Sequence, residues 1–202
     1  MKINSWRIDL TKASLSQILP WCKQFQQADR ILMTVLVERV RGNWRAVDKS
    51  AERWIRNNLQ EALIEEFLTL GWPGTLRLSD PNRVFVARFD NEVMDMIINT
   101  EPCLQGWVHH HRPRLPEDLC VFRAGARLPV LYSVTHEEDA WIIYDTRPRL
   151  PGISAEFAEN KKAACLFSGR YWCLPWEENE ANRMLQRQST LQPLKGDDVR
   201  RL

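Results

Sequence analysis

The sequence predicts an α+β fold built around a mainly antiparallel sheet. Candidate helices concentrate in the first half of the chain and candidate strand hairpins in the second half, and the regular alternation of strand and crossover helix that a parallel sheet needs does not occur. Of the 202 residues, 44% are hydrophobic and 27% are charged, which is ordinary for a globular protein and allows a sizeable core. We expect one domain over 1–190 and a polar tail over 191–202 whose composition is compatible with disorder.

The first predicted elements are a short helix and a strand. Ser14 or Ser16 is a candidate N-cap for the helix, in which Pro20 would be tolerated only within the first turn. The segment 31–40 is short and rich in β-branched residues, which favours a buried strand over a helix. Arg41-Gly42-Asn43 is typical of a turn.

The clearest predicted element is a long amphipathic helix over 48–70. Asp48 is a candidate N-cap, and Gly71 followed by Pro73 supplies a stop signal. We expect this helix to pack against the sheet as a principal core element, with shorter helices beside it. Its apolar side chains recur at intervals of three and four, as on the buried face of a helix: Trp54, Ile55, Leu59, Ala62, Leu63, Phe67 and Leu70.

From Thr75 onward the hydrophobic pattern changes to the alternation that is typical of strands. Segments 75–78 and 83–89 are expected to be strands joined by the turn at 80–82, and Asp90 is expected to cap a short helix. The later predicted elements are strands at 119–123, 129–134, 140–144, 163–167 and 171–174, of which the second and third, and the fourth and fifth, would form hairpins, and a terminal helix at 177–187.

The composition argues against several classes of protein. The apolar run 31–37 is far shorter than the roughly 20 residues that span a bilayer, and no signal peptide is recognisable. The five cysteines are an odd set without a C-x-x-C pair, which disfavours a disulfide framework and a structural zinc site. A net charge of +2 gives no global field that favours nucleic acid or an anionic membrane, although the N-terminal part is locally basic. We expect a cytoplasmic protein with no membrane partner.

A repeated arginine–proline pattern is the densest supply of guanidinium groups outside the N-terminal region. Arg112-Pro113-Arg114-Leu115-Pro116 recurs as Arg147-Pro148-Arg149-Leu150-Pro151, and each copy follows an apolar segment led by Trp107 or Trp141. Proline disfavours helix in the residue before it, so both copies are expected to be extended connectors leaving a strand. Arginine suits carboxylate or phosphate recognition and the tryptophans could add stacking, whereas intramolecular salt bridges are the competing interpretation.

The aromatic segment 170–176 is the main candidate for a protein-binding surface. In a strand, Trp172 and Tyr171 would point to opposite faces, and Trp176 would lie near a rim because a proline precedes it. Exposed aromatic rings with a charged border are typical of specific interfaces, whereas the competing interpretation buries both tryptophans under a helix or the C-terminal tail. The predicted binding residues are Arg112, Arg114, Arg147, Arg149, Arg170, Trp172 and Trp176.

Histidines provide the candidates for metal chemistry. In a strand, His109 and His111 would share a face and could chelate one metal ion, if His136, Cys120 or Asp118 supplied a third ligand. No zinc-protease or deaminase motif supports such a site, and a polar loop entering a proline turn is the competing interpretation. We therefore predict neither a metal site nor a cofactor.

A second histidine lies at the predicted hairpin tip. His136 precedes the acidic residues Glu137 and Asp139, and a carboxylate beside an imidazole can orient it for general-base catalysis. A solvated turn explains the same residues, and nucleophile and phosphate-loop motifs are absent. If the protein is an enzyme, its candidate residues are His109, His111, His136, Glu137 and Asp139.

Three functions remain compatible with the sequence. The first is a non-enzymatic protein-binding factor, of the immunity, antitoxin or accessory-protein type, whose Trp/Arg-containing surface binds another protein or a second copy. It accounts for the nine tryptophans, the mixed charge and the absence of a cofactor motif. The alternative is a nucleic-acid-associated protein that uses an Arg/Trp surface. The third is a metal-dependent or histidine-based hydrolase.

Overall fold

A computed structural model of the chain describes residues 5–73, 75–76, 80–108, 115–126, 128–143 and 155–157. Helices and mainly antiparallel strands are mixed in this part, as the α+β class requires. The strands are β1 (Ser5–Ile8), β2 (Ala28–Val40), β3 (Asn43–Ala46), β4 (Leu63–Thr69), β5 (Gly71–Trp72), β6 (Thr75–Leu76), β7 (Asn82–Arg88), β8 (Glu117–Arg123), β9 (Pro129–Val134), β10 (Asp139–Ile143) and β11 (Ala155–Phe157). The helices are α1 (Leu15–Phe25), α2 (Lys49–Leu59), α3 (Asn91–Thr100) and α4 (Leu104–Val108).

The strands form one large antiparallel sheet in which β2 is the central element. The strand order is β11-β1-β10-β9-β8-β2-β7-β4, and β3 pairs in addition with the end of β2. Leu32 of β2 is opposite Val86 of β7 on one side and Cys120 of β8 on the other. The short strands β5 and β6 pair with each other outside this sheet.

Apolar side chains are buried on both faces of the sheet. Alternate residues of β2 point to opposite faces, so Ile31 and Met33 belong to one apolar cluster and Leu32 to the other. The first cluster includes the buried side chains of all four described helices, for example Ile18 of α1 and Ile55 of α2. These helices therefore lie on the Ile31 face of the sheet, and that face carries the larger core.

The long helix predicted over 48–70 is wrong in its second half. Asp48 caps α2 as expected, but the helix ends at Leu59, and the segment Leu63–Thr69 is strand β4, paired with β7. Phe67 and Leu68 are both buried, one toward each face, which a strand in a two-sided sheet permits. Pairing with β7 thus outweighs the helical spacing of the apolar residues, since short apolar runs fit either pattern.

Two further expectations need correction. Pro20 is the sixth residue of α1 rather than part of its first turn, and burial of neighbours such as Leu19 and Cys22 maintains the helix around it. Trp107 lies in helix α4 and not in a strand before an extended connector. Its indole N–H donates to the carbonyl of Glu101 at 3.0 Å, so tertiary contacts fix this short helical turn.

Other predicted elements are confirmed. The strand over 31–40 is β2, the helix capped by Asp90 is α3, and the hairpin with its tip at 136–139 is formed by β9 and β10. No helix in the described part of the chain is long and apolar enough to cross a membrane. The elements predicted at 163–167, 171–174 and 177–187, and the tail over 191–202, lie outside the described residues.

Candidate functional site

The hairpin tip holds the described members of the predicted catalytic set. His136 lies in the 3₁₀ turn Thr135–Glu137, and 56% of its side chain is exposed. Its Nε2 atom is 3.7 Å from Oε1 of Glu137. Asp139 instead accepts a hydrogen bond from Nε of Arg7, at 2.6 Å, and so ties the tip to strand β1. The structure therefore joins His136 to Glu137 at the surface and uses Asp139 in a different contact.

Most of the other predicted site residues lie outside the part of the chain that the structure describes. Among the residues that the structure describes, no group of three or more His, Cys, Asp and Glu side chains could hold a metal ion. Cys120, one of the proposed third ligands, is buried, and burial raises the pKa of its thiol well above the usual value. The residues that lie outside the described part are His109, His111, Arg112, Arg114, Arg147, Arg149, Arg170, Trp172 and Trp176.

Asp118, another of the proposed third ligands, is the centre of a buried hydrogen-bond network. Its Oδ1 atom accepts from the backbone N–H of Thr135 at 2.7 Å, and its Oδ2 atom accepts from Nε1 of Trp72 at 2.5 Å. Thr34 donates a longer bond of 3.4 Å to Oδ2. Despite these donors, burial raises the pKa of the Asp118 carboxyl above its ordinary value of 3.8. The carboxylate thus links β2, β5, β8 and the hairpin tip, which is a structural use of the group.

Among the described residues, a group of cations without hydrogen-bond or ion-pair partners lies in the first half of the chain. Five exposed side chains, in the β2–β3 hairpin and at the start of α2, make no hydrogen bond or ion pair with any described residue: Arg39, Arg41, Arg45, Lys49 and Arg53. We call them the hairpin–helix surface. Every other described lysine or arginine has such a partner, namely Arg7, Lys12, Lys23, Arg30, Arg56, Arg83, Arg88 and Arg123.

The hairpin places three of these cations. Arg41 and Gly42 form the two-residue turn with φ angles of +49° and +85°, the positive pair that a type I′ turn requires. In the resulting register Arg39 is opposite Trp44, so these two side chains share the face of the hairpin that continues toward the helices. Arg45 points to the other face and completes the rim.

Helix α2 supplies the remaining two cations. Asp48 begins the helix soon after β3, because its Oδ1 atom accepts from the backbone N–H of Ser50 at 2.6 Å. Lys49 and Arg53 are four residues apart and therefore lie on the same side of the helix. The short connection from β3 brings this side of α2 next to the hairpin.

A cleft of about 390 Å³ separates β3 from α2. Its wall includes the buried side chain of Arg83, whose Nη1 atom donates to Oε1 of Glu52 at 2.6 Å and whose Nη2 atom donates to the carbonyl of Trp44 at 2.9 Å. Arg56 pairs with Glu66 at 2.5 Å and lies over the ring of Phe85. These two arginines and two glutamates balance one another, so the net positive charge of the cleft comes from its exposed rim.

The geometry suits an anionic ligand. Cations that form no ion pair with the described residues repel one another, and an anion bound among them would relieve that repulsion. Trp44 lines the same cleft and offers an aromatic face beside the charges. The local excess of basic residues near the N-terminus was the available sequence signal for this surface, but it did not show which cations are unpaired.

Comparison with protein-family models, with curated proteins and with solved structures finds no match for this chain. The chemistry of the described residues is therefore the basis for inferring its function.

Proposed function

We propose that the chain is a non-enzymatic nucleic-acid-binding protein that contacts phosphate groups through the hairpin–helix surface. The observation that carries the proposal is the segregation of the unpaired cations. All five fall within residues 39–53, whereas the other described lysines and arginines are engaged. Contacts between exposed Lys or Arg and phosphates supply most of the affinity of proteins for nucleic acids.

The neighbouring polar side chains fit the same ligand. Asn43 at the hairpin and Ser50 and Asn57 on α2 are exposed beside the cations. Hydroxyl and amide groups commonly hydrogen-bond to phosphates and sugars and so fix the register of a bound strand. With a net charge of only +2, binding would depend on this local surface and not on the field of the whole protein.

The residues of the cleft support binding more than catalysis. Glu52 is the one carboxylate among the residues that line it, and its Oε1 atom accepts from Arg83 at 2.6 Å and lies 3.6 Å from Nη2 of Arg56. A carboxylate held between two guanidinium groups is poorly placed to take a proton from a ligand. The hydrolase hypothesis, which depends on His109, His111 and His136, gains no support from this cleft.

An acidic protein surface is the second candidate partner. The predicted protein-binding factor also required a Trp/Arg-containing surface, and the hairpin–helix surface provides one in a different part of the chain. Val47, at the end of the hairpin, is 50% exposed and could add the apolar contact that protein interfaces contain. The candidate residues Arg170, Trp172 and Trp176 stay predictions, and a cytoplasmic location stays a proposal.

Fluorescence anisotropy with labelled 20-nucleotide DNA and RNA tests the proposal. We expect binding at low salt, with the logarithm of the association constant falling by roughly 0.7 per phosphate contact for each unit of log salt on a single strand. Poly-glutamate at the same charge concentration serves as the competitor. Absence of binding at low salt contradicts the proposal. If poly-glutamate displaces the labelled probe as effectively as unlabelled oligonucleotide does, the acidic-protein candidate is favoured instead.

A further inference from the structure

We propose that the hairpin–helix surface selects single-stranded nucleic acid, by accepting one unpaired base into the cleft against Trp44. This inference rests on the proposed function and specifies its ligand class. It follows from three properties of the cleft: an aromatic side chain that belongs to neither apolar cluster, a recess of suitable size, and cations around the mouth of that recess.

The first property is the isolation of the Trp44 side chain. Trp6, Trp21 and Trp54 pack against the core on the helix side of the sheet, and Trp141 packs against the core on the opposite side. Trp72 and Trp107 donate their indole N–H groups to Asp118 and Glu101. Of the tryptophans that the structure describes, Trp44 alone belongs to neither apolar cluster and has no side-chain hydrogen bond or ring contact.

The Trp44 side chain is half-buried and lines the cleft between β3 and α2. The backbone of this residue is fixed, because its carbonyl accepts from Nη2 of Arg83 at 2.9 Å. The backbone of Trp44 is therefore anchored at the cleft, and the part of its side chain that stays exposed is available to a ligand.

The second property is the shape of the site. The cleft volume of about 390 Å³ lies within the range of roughly 300–1,000 Å³ that is usual for small-molecule pockets. A base that is stacked inside a duplex cannot enter a recess, whereas an unstacked base of a single strand can do so and stack on an aromatic ring. Reading the base sequence of a duplex instead needs an element that projects into a groove.

The third property is the arrangement of charge. Arg45, Lys49 and Arg53 line the cleft together with Trp44. These cations can contact the phosphates on either side of an inserted base.

The test compares three fluorescein-labelled probes of equal length: a single strand, the corresponding duplex, and an abasic single strand that keeps the phosphates. The wild-type protein is expected to bind the normal single strand about 10-fold more tightly than the other two. Trp44→Ala should remove that preference. Its affinities for the abasic strand and for the duplex should stay within about twofold of the wild-type values. Trp44→Phe, which keeps a ring, should retain most of the preference, and thermal melting monitors folding of each variant.

The outcomes separate this inference from the proposed function. Equal affinity of the wild-type protein for all three probes, or an unchanged preference in a folded Trp44→Ala variant, would overturn the single-strand inference and leave phosphate binding intact. If none of the probes binds at low salt, the proposed function itself fails. If Trp44→Ala does not fold, the wild-type comparison of normal and abasic strands still decides the matter.

Discussion

Asp118 shows how one buried carboxylate can make the stability of the fold depend on pH. Its pKa is raised by burial above the ordinary value of 3.8, so the folded state holds the proton more tightly than the unfolded chain does. The stability contribution of such a group is fully present below its unfolded pKa, and it is lost as the pH rises through the folded pKa. Other carboxylates shift the stability in the opposite direction, so a difference measurement is needed.

We expect the free energy of unfolding of the wild-type protein, relative to that of Asp118→Asn, to fall as the pH is raised above 3.8, the ordinary pKa of the carboxyl. The amide cannot ionise, and therefore the variant lacks this dependence while it keeps an acceptor for Thr135 or Trp72. Urea denaturation at several pH values measures both proteins. A difference that stays constant, or that increases in favour of the wild type, would contradict the raised pKa.

Arg41 is the residue at which stability and binding are expected to conflict. Its φ of +49° is unfavourable for arginine, whereas asparagine before glycine suits a type I′ turn. Arg41→Asn should therefore stabilise the protein by about 0.5–1 kcal/mol, and it should weaken oligonucleotide binding because a cation is lost. Arg39→Gln is the matched control, since it removes the same charge outside the turn. Chemical denaturation measures the stability, and fluorescence anisotropy measures the binding. A lower stability of Arg41→Asn than of the wild-type protein would refute this interpretation.

At the scale of elements, the segment 48–70 is a case in which the sequence pattern predicts only part of the secondary structure. Capping by Asp48 and the spacing of Ile55 and Leu59 correctly indicate α2. The continuation into β4 could not be predicted, because the strand is specified by pairing with β7, which is about twenty residues away in the sequence. Strand β1 was missed for a similar reason, since its pairing partner is the distant strand β10.

The split of this segment changes the expected cost of core mutations. Ile55 is fully buried in α2, so Ile55→Ala should lower the free energy of unfolding by about 2–5 kcal/mol. Leu63 is half-buried at the start of β4, and Leu63→Ala should cost only about 1 kcal/mol. Urea denaturation compares the two variants. If both substitutions lowered the free energy of unfolding equally, by an amount near the upper end of the range given for Ile55→Ala, the result would support a continuous helix with both residues on its buried face.

For the molecule as a whole, the net charge of +2 conceals an uneven distribution of the cations that form no ion pair with a described residue. The sequence suggested an Arg/Trp surface and a basic N-terminal part, but it placed the candidate binding residues in the second half. Whether an arginine is free depends on its neighbours in three dimensions: Arg83 meets Glu52 and Glu66, whereas Arg53, on the same helix as Glu52, meets no carboxylate among the described residues. Composition could therefore indicate the chemistry of the surface but not its location.

The salt dependence of single-strand binding in two matched charge variants tests the central proposal most directly. Lys49→Gln with Arg53→Gln removes two charges from the hairpin–helix surface. Arg7→Gln with Lys12→Gln removes two charges at β1 and the turn after it, four inter-strand steps or roughly 19 Å from β2. The proposal predicts that the first pair lowers the slope of log affinity against log salt by about 1.4, while the second leaves it unchanged. Equal slopes for both double variants would contradict the assignment of binding to this surface.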